Sequence, residues 1–552
     1  MYLDNKLYVA HSDNGQICLT GKMCNRHGLI AGATGTGKTV SLQVLAETFS
    51  QAGVPCFMAD MKGDLSGVSQ AGQMTGFIEK RCATFGIQNP EFQPCPVRFY
   101  DVFGEQGFPM RTTVSAMGPQ LLSRLMGLNE TQAGVLNIVF KIADDKQLLL
   151  IDLKDLRLML DFVAKNAAAF TTAYGNVSAA SVGAIQRSIL AIESEGGDKF
   201  FGEPAFDVND LMDQEGGKGV LSVLAADKLM LNPKLYSTYL LWLMTELYAQ
   251  LPEVGDQDLP KLIFFFDEAH MLFDGTSKAL VDKLEQVIRL IRSKGVGIYF
   301  ITQSPTDIPD SILAQLSNRV QHALRAFTPK DQKDVRAAAQ TFRANPDFKT
   351  EDAIMTLETG EALVSFLDEK GAPSVVERAK MLFPLSQIGA VTPGQRLDVQ
   401  NAAPARIKGY EEYFDRESAY EVLTAANELA TAREEEVRQA KEQAKAEREA
   451  EKAQREIEKA ERMAEREAAR QQKEAEKAEK SKFSWKRTIF GTLAGAVITS
   501  VARSIGSSVG KAVSGGSSKK TTGGDILGKA AKSATTTATR KVTEEVLKSI
   551  LK

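Results

Sequence analysis

The segment GATGTGKT at residues 32–39 has the residue types that cradle a phosphate group. It fits the pattern G-x-x-x-x-G-K-[ST] and lies between the apolar run HGLIA and the helical pattern TVSLQVLAETF. Glycines let the backbone curl so that successive N–H groups face an anion, and the following helix presents its positive end to that anion. A plain glycine-rich turn, the alternative, needs neither the lysine nor the threonine. The predicted nucleotide-binding residues are Gly32, Ala33, Thr34, Gly35, Thr36, Gly37, Lys38 and Thr39.

Two of these side chains have roles beyond the backbone cradle. Lys38 would reach the β- and γ-phosphates of a nucleoside triphosphate, and the Thr39 hydroxyl would ligate Mg²⁺. A second pair of candidates ends the apolar run in KLIFFFDEAH, residues 261–270. Acids that follow a parallel strand lie at the sheet edge where ligands bind. Asp267 therefore fits a carboxylate that holds Mg²⁺ through its water shell, and Glu268 fits a base that orients the attacking water.

The kind of nucleotide follows from two further features of the sequence. A glutamate next to the metal-binding aspartate favours an ATP-hydrolysing motor over a small GTPase. The sequence also contains no Asn-Lys-x-Asp motif, which would recognise guanine. We therefore expect ATP and Mg²⁺ as the ligands of this site.

Parallel strands must position these residues. Short apolar runs bounded by turn residues predict buried strands, and helical patterns alternate with several of them. Buried strands that alternate with helices are typical of an α/β fold with a mainly parallel sheet covered on both faces. The predicted strands are GLIAG (28–32), CFMAD (56–60), GVLSVL (219–224), KLIFFFDE (261–268), GIYFITQ (297–303), VQHALRAF (320–327) and ALVSFL (362–367), and the predicted helices include 38–51, 234–250 and 278–293.

Composition divides the chain into a folded body and two unusual C-terminal segments. The body comprises an N-terminal part of the ATPase core (1–114), an inserted, mostly helical subdomain (115–200) and a C-terminal part of the core (201–400). Residues 412–482 are almost entirely Ala, Glu, Lys, Arg and Gln, and residues 483–552 form a basic tail rich in Gly, Ser and Ala.

The overall composition excludes few classes of protein, but it indicates the cellular compartment in which the chain works. The chain has 552 residues, 43% hydrophobic and 25% charged, with a formal charge of −3 that does not indicate a nucleic-acid binder. Five scattered cysteines and four histidines argue against a zinc site. The N-terminal sequence lacks a basic segment followed by an apolar one, so we expect no signal peptide and a reducing cytoplasm.

Several stretches together resemble one family. NRHGLIAGATGTGKT, FMADMKGDLSG, FFFDEAH and GVGIYFITQSPTDIPDSILAQLSNRVQHALR are similar to the HerA–FtsK branch of RecA-like ATPases, and most closely to the bacterial HerA-like group named after YjgR. The resemblance covers residues 1 to about 400. It implies a RecA-like P-loop fold and an ATP-driven hexameric ring motor, and several members of the branch move double-stranded DNA.

The resemblance also implies roles for three more residues. Asp60 matches an acidic residue near the metal and the water, and Gln303 matches a γ-phosphate sensor at the end of a strand. Arg292 is the candidate for a finger that reaches the ATP of the neighbouring subunit, with Arg289 and Arg319 as alternatives. Such a finger requires an oligomer.

One departure from the family bears on the substrate. HerA carries an N-terminal β-barrel and FtsK carries membrane and DNA-reading domains, whereas about 30 residues precede the phosphate turn here. DNA as the substrate is therefore left open, and ATP hydrolysis is not affected.

The charged segment 412–482 is predicted to be one long helix. About 70 strong helix formers would span on the order of 100 Å, with favourable i,i+4 pairs such as Glu451–Arg455. A seam of alanines at heptad spacing leaves a solvated spacer and a coiled-coil partnership both open. For the tail, the sequence leaves four possibilities open: disorder, docking on the body, packing against copies of itself, and contact with a membrane surface.

Two functions from different classes remain. The first is a HerA-like ring motor that hydrolyses ATP. The second is a nucleotide-gated scaffold or switch that acts on a protein or membrane partner through the C-terminal helix and tail. A phosphotransferase is a weaker third reading, because Glu268 and Gln303 suit the positioning of water. We expect a cytoplasmic protein, with peripheral association at the inner membrane left open.

Overall fold

The computed structural model describes residues 1–3, 5–255, 257–273 and 278–482. The chain divides into two compact units, Met1–Leu423 and the part from Thr424 onward. The strands are β1 Tyr2–Leu3, β2 Lys6–Ser12, β3 Gly15–Leu19, β4 Gly28–Ala31, β5 Cys56–Asp60, β6 Val97–Asp101, β7 Phe108–Pro109, β8 Gln214–Glu215, β9 Lys218–Gly219, β10 Leu221–Ala225, β11 Leu262–Phe266, β12 Val296–Thr302, β13 Asn318–Gln321, β14 Glu361–Ser365 and β15 Glu377–Met381.

Helices follow most of the central strands. They are α1 Lys38–Gln51, α2 Gly76–Phe85, α3 Val114–Met126, α4 Glu130–Asp145, α5 Leu153–Lys165, α6 Ala167–Tyr174, α7 Ala179–Ser194, α8 Gly197–Phe200, α9 Pro233–Gln250, α10 Lys278–Ile291, α11 Asp310–Leu313, α12 Pro329–Gln340, α13 Thr350–Thr356, α14 Pro393–Ala402, α15 Ala405–Lys408 and α16 Ala419–Lys482.

One large sheet runs through the first unit. Its order is β1-β2-β15-β14-β13-β4-β12-β11-β5-β10-β6-β7, and β3 pairs with β2. Neighbouring strands from β13 to β7 are parallel, whereas the pairs at the other end of the sheet, from β13–β14 to β1–β2, are antiparallel. The predicted mainly parallel sheet is therefore confirmed, with an antiparallel extension on one side.

Each central strand contributes to two apolar cores, because successive side chains point to opposite faces. In β11, Phe264 and Phe266 enter one core, while Ile263 and Phe265 enter the other. Strands buried on both faces have continuous apolar sequences rather than alternating ones. This is why the runs before Gly32 and Asp267 could be recognised as strands.

The first core is completed by the helical segment Val114–Phe200 and by α9. Local capping fixes where these helices begin. Asn129 and Gln132 form a reciprocal capping box at α4, and Asp152 and Asp155 form another at α5. The expected mostly helical stretch is thus helical from α3 to α8.

Several strand predictions need correction. In VQHALRAF only the first two residues belong to a strand, because the chain leaves β13 at His322, whose ring turns inward to bond with Ser41 and Glu361. The sequence did not indicate β2, β6 or β15. In β6, the buried Arg98 interrupts the apolar run, and it is compensated by an ion pair with Glu215 at 2.9 Å.

The long charged helix begins at Ala419 rather than at residue 412. The preceding residues are held by side-chain bonds to the body, including one from the Tyr410 hydroxyl to Asp210 at 2.6 Å. Leu423 is buried in the first core, whereas the side chains of residues 431–477 are exposed. The predicted tail, 483–552, lies outside the described residues. Within the described part of the chain, helices lack the combination of length and apolar character that a bilayer crossing requires.

Candidate functional site

The predicted site residues lie at the carboxyl edge of four neighbouring parallel strands. The order β4, β12, β11, β5 places the phosphate loop, Gln303, the acidic pair Asp267–Glu268 and Asp60 on successive strands. Parallel pairing aligns their ends, as shown by the register of Thr302 with Ala31. The structure therefore brings these residues together, although they are far apart in the sequence.

The phosphate loop connects β4 to α1 and depends on glycine at three positions. Gly35 and Gly37 have φ values of 76° and 110°, which side chains with a Cβ rarely adopt. A Cβ on Gly32 would lie 2.5 Å from Cβ of His322. Gly37 caps α1 without a side-chain hydrogen bond, so side chains do not compete for the first amides of the helix. Thr39 is the second residue of α1 and is half-buried.

His322, which sequence reasoning missed, supports this loop from behind. Its Nδ1 lies 2.9 Å from the Glu361 carbonyl oxygen, and its Nε2 lies 2.9 Å from Oγ of Ser41 in α1. Nδ1–H therefore donates to the carbonyl, and Nε2 accepts from the serine. Burial lowers the pKa of His322 to about 4, so the ring is neutral. The neighbouring Gly360 amide donates to the Thr36 carbonyl at 3.0 Å, which adds a backbone bond to the same support.

Lys38 folds back over its own loop. Its Nζ donates to the carbonyl oxygens of Gly32 at 2.6 Å and Ala33 at 3.1 Å. Burial lowers the pKa of Lys38, and the carboxylates of Glu268 and Asp267 oppose that shift. The ammonium group is thus already within electrostatic range of both acids.

The acidic pair is buried at the end of β11. Asp267 is 4% exposed and Glu268 is 7% exposed. Burial raises the pKa of Asp267 to about 6, and the charge of Glu268 adds to the shift. Oδ1 of Asp267 accepts the amide of Glu268 at 3.0 Å. The φ of Glu268 is 46°, a left-handed conformation in which the chain turns sharply after the strand.

Three side chains surround the carboxylate of Glu268. Lys62 Nζ lies 2.7 Å from Oε1, while Gln303 Nε2 lies 3.4 Å and His270 Nδ1 lies 3.5 Å from Oε2. Burial alone would raise the pKa of Glu268, but the bond and charge of Lys62 outweigh it and hold the pKa below its usual value. A carboxylate that stays ionised can accept a proton from water.

Asp60 shapes the loop that carries Lys62. Its Oδ1 accepts the amides of Lys62 at 3.3 Å and Gly63 at 2.8 Å, and its Oδ2 accepts the amide of Leu65 at 3.1 Å. Burial, with the charge of Asp64, raises the pKa of Asp60 to about 7. The observed contacts of Asp60 are therefore those of a loop cap, and a role toward metal or water stays a prediction.

The donor set suits a hard cation that keeps most of its water. The described residues contain no group of three or more His, Cys, Asp or Glu side chains that could hold a metal ion. Mg²⁺ typically takes one or two carboxylates and completes its shell with phosphate oxygens and water. Asp267, at the end of β11, and Thr39, in the first turn of α1, fit this pattern.

A cleft of about 580 Å³ adjoins the phosphate loop. Its lining includes the loop residues Ala33 and Thr34, together with Gln303, Arg325 and Phe327. Phe327 is 85% exposed, which is unusual for an aromatic side chain. Sequence reasoning missed this cleft because it placed residues 320–327 in a strand.

The three candidate arginines lie away from this edge. Arg292 and Arg289 precede the amino end of β12, whereas Gln303 follows its carboxyl end. Arg289 pairs with Glu285 at 2.6 Å, and Arg319 donates to the carbonyl oxygens of Leu313 and Leu316. The structure does not bring Arg292 to the site of its own chain, so a role in a neighbouring site stays a prediction.

A strand, a G-x-x-x-x-G-K-T loop and a helix, with an acidic pair on a nearby parallel strand, define a P-loop protein with a RecA-like fold. The chain belongs to the family described as helicase HerA-like C-terminal, whose sequence profile matches residues 5–551. This confirms the expected membership of the HerA–FtsK branch. The DNA double-strand break repair helicase HerA of Sulfolobus acidocaldarius is 28% identical over 99 residues, which are 18% of this chain and 19% of that protein. The chain thus matches about a fifth of the length of this curated relative.

Solved structures with a similar fold include a bacterial conjugative coupling protein and VirB4. The bacterial conjugative coupling protein TrwBdeltaN70 has 14% identity and a TM-score of 0.44, covering 68% of this chain and 89% of that one. VirB4 of Thermoanaerobacter pseudethanolicus has 13% identity and a TM-score of 0.42, covering 70% of this chain and 97% of that one.

Proposed function

We propose that this chain binds ATP with Mg²⁺ and hydrolyses the nucleotide as a motor of the HerA–FtsK type. The observation that carries the proposal is the meeting of the phosphate loop, Asp267, Glu268 and Gln303 at one edge of the sheet. Membership of the HerA-like family supports the same activity.

The side chains divide the chemistry of hydrolysis between them. Lys38 leaves its loop carbonyls and neutralises the β- and γ-phosphates, while Thr39 and Asp267 would hold Mg²⁺. When bound there, Mg²⁺ would supply charge that stabilises the transferring phosphoryl group. Glu268 orients the attacking water and accepts its proton, and the Gln303 amide, 3.4 Å from Glu268, contacts the terminal phosphate.

The adjoining cleft suits the nucleoside. A purine base requires an apolar face and a few polar groups, and the cleft offers Phe327 next to Arg325 and Asp331. Stacking on Phe327 would cover an aromatic ring that is otherwise exposed. We assign this cleft to the base and the ribose of ATP.

Ring assembly and a trans arginine complete the motor. Arg292 lies at the edge of the sheet opposite the phosphate loop, which leaves it available to a neighbouring subunit rather than to its own site. In this proposal six copies form a ring, each ATP is completed by Arg292 of the next subunit, and double-stranded DNA is the polymer moved. The DNA-repair helicase named among the relatives supports this choice of polymer.

The motor proposal is tested by ATP turnover with and without double-stranded DNA. Wild type should form a ring in electron micrographs and should be strongly stimulated by the duplex. Glu268→Gln should form the same ring and show little turnover under both conditions, while Glu79→Gln, at an exposed acid of α2, should behave as wild type. A ring whose ATP turnover is indifferent to DNA would exclude the DNA motor.

The exposed helix from residue 431 to residue 477 favours a second candidate, a nucleotide-gated scaffold that acts through this helix and the tail. Truncation after Ala430 separates the two functions and retains the buried Tyr410, Ala419 and Leu423. A motor should keep DNA-stimulated turnover after this truncation. A scaffold should keep nucleotide binding and lose its cellular function.

A further inference from the structure

Lys62 is a charged residue at the site that the proposed mechanism does not use. It lies on the loop between β5 and α2, and its Nζ is 2.7 Å from Oε1 of Glu268. The two partners differ in environment, because the Glu268 side chain is 9% exposed and the Lys62 side chain is 54% exposed. The acid is enclosed by the protein, whereas the more exposed lysine side chain has room to move.

The backbone of Lys62 is nevertheless held firmly. Asp60 accepts the amides of Lys62, Gly63 and Leu65, so the loop is anchored at its base. The hydroxyl of Ser66, a few residues further on, accepts the amide of Val391 at 3.0 Å. Movement of the Lys62 ammonium group therefore requires only side-chain rotation, not a change in the loop.

A terminal phosphate would compete with Glu268 for this ammonium group. A base that activates water lies one water molecule from the phosphorus, so one hydrogen bond and one oxygen–phosphorus contact, each of about 3 Å, separate Glu268 from the γ-phosphate. That span is within the swing of a lysine side chain whose Nζ already contacts Glu268. The terminal phosphate carries more negative charge than a carboxylate and attracts a cation more strongly.

We infer that Lys62 is a γ-phosphate sensor that holds Glu268 in the nucleotide-free chain and exchanges it for the terminal phosphate of bound ATP. The exchange releases Oε1 of Glu268 to orient the attacking water. When the γ-phosphate has left, Lys62 returns to Glu268. Lys62 thereby links the availability of the base to the presence of substrate, an inference that rests on the proposed ATPase function.

The sensor distinguishes nucleoside triphosphates from nucleoside diphosphates. ADP offers no γ-phosphate, so Lys62 stays on Glu268 and contributes nothing to ADP affinity. The terminal phosphate of a non-hydrolysable ATP analogue attracts Lys62 away from Glu268, and this contact increases the affinity for the analogue. If the ion pair lacked this function, its removal would change the affinities for the ATP analogue and for ADP by the same factor.

The test compares Lys62→Met with Lys62→Arg and with Lys80→Met, a change at an exposed lysine of α2. Equilibrium binding of a non-hydrolysable ATP analogue and of ADP is measured for each full-length variant. We expect Lys62→Met to lose about tenfold in affinity for the analogue, the effect of about one charge-assisted hydrogen bond, and to keep its ADP affinity. Lys62→Arg should recover most of the loss, and Lys80→Met should match wild type.

Repeating the comparison in Glu268→Gln protein separates a direct contact of Lys62 with the phosphate from an indirect effect through Glu268. In Glu268→Gln protein, Lys62→Met should still weaken binding of the analogue, because the lysine contacts the phosphate itself. Equal affinity of wild type and Lys62→Met for the analogue, or equal losses for analogue and ADP, would overturn the inference. If wild type binds both nucleotides but turns over no ATP, the proposed function fails while the sensor is still tested by binding.

Discussion

Replacing His322 tests the support behind the phosphate loop. The ring is fully buried between Ser41 and Glu361, and burial, reinforced by the nearby charge of Lys38, lowers its pKa to about 4. In the unfolded chain a histidine has a pKa near its ordinary value of about 6.5. The unfolded state therefore takes up a proton as the pH falls below that value, while the folded state resists protonation.

The sign and size of the effect follow from linkage. The stability contributed by the neutral ring is complete above pH 6.5 and is lost as the pH falls toward 4. Between about pH 7.5 and about pH 5, the two pKa values give a loss of about 2 kcal/mol in the free energy of unfolding. His322→Gln removes the titrating ring and keeps a polar group that can bond to either neighbour.

Urea unfolding of wild type and His322→Gln at the two pH values isolates this contribution. We expect the stability advantage of wild type to shrink by about 2 kcal/mol at the lower pH. His27 is also buried, and burial lowers its pKa to about 4, but it titrates in both proteins, as do Asp60 and Asp267, so these groups cancel in the comparison. A stability difference that is the same at both pH values would refute the assignment of a neutral, buried His322.

Three further predictions concern nucleotide binding and turnover. Gly32→Ala places a Cβ 2.5 Å from Cβ of His322, and overpacking of this kind costs about 1–3 kcal/mol. We therefore expect weaker ATP binding in titration calorimetry. Gly134→Ala, at a site with open space, should leave ATP binding unchanged. Phe327→Ala should raise the KM for ATP several-fold with little change in kcat, because the cleft loses its aromatic face; an unchanged KM would remove the base from this cleft. Arg292→Ala should lower kcat by a factor on the order of 10³–10⁵ while ATP binding and the ring persist, and full activity of this variant would exclude Arg292 as the trans finger.

The sequence was sufficient for the phosphate loop and the acidic pair because both end fully apolar strands. Gly32 follows GLIA and Asp267 follows LIFFF, and parallel strands bring such ends to one edge. The order of the strands was not readable. The insertion of β12 between β4 and β11, which places Gln303 beside Glu268, depends on long-range pairing that no local pattern encodes.

The roles of His322 and Lys62 could not be predicted from the sequence. His322 lies in VQHALRAF, whose mostly apolar residues predict a strand, and its role depends on partners at Ser41 and Glu361 that are distant in sequence. The contact of Lys62 with Glu268 also joins the segments that follow two separate strands, β5 and β11. In each case the sequence showed the residue type, and only the fold supplied the partner.

The central claim is that the chain binds ATP at the phosphate loop and uses Glu268 to cleave it. A single-turnover measurement with radiolabelled ATP and excess protein tests this most directly. With protein in saturating excess, wild type and Glu268→Gln should both bind all of the ATP, and the variant should form ADP more slowly by a factor on the order of 10²–10⁴. Conversion of ATP by Glu268→Gln at the wild-type rate would contradict the account.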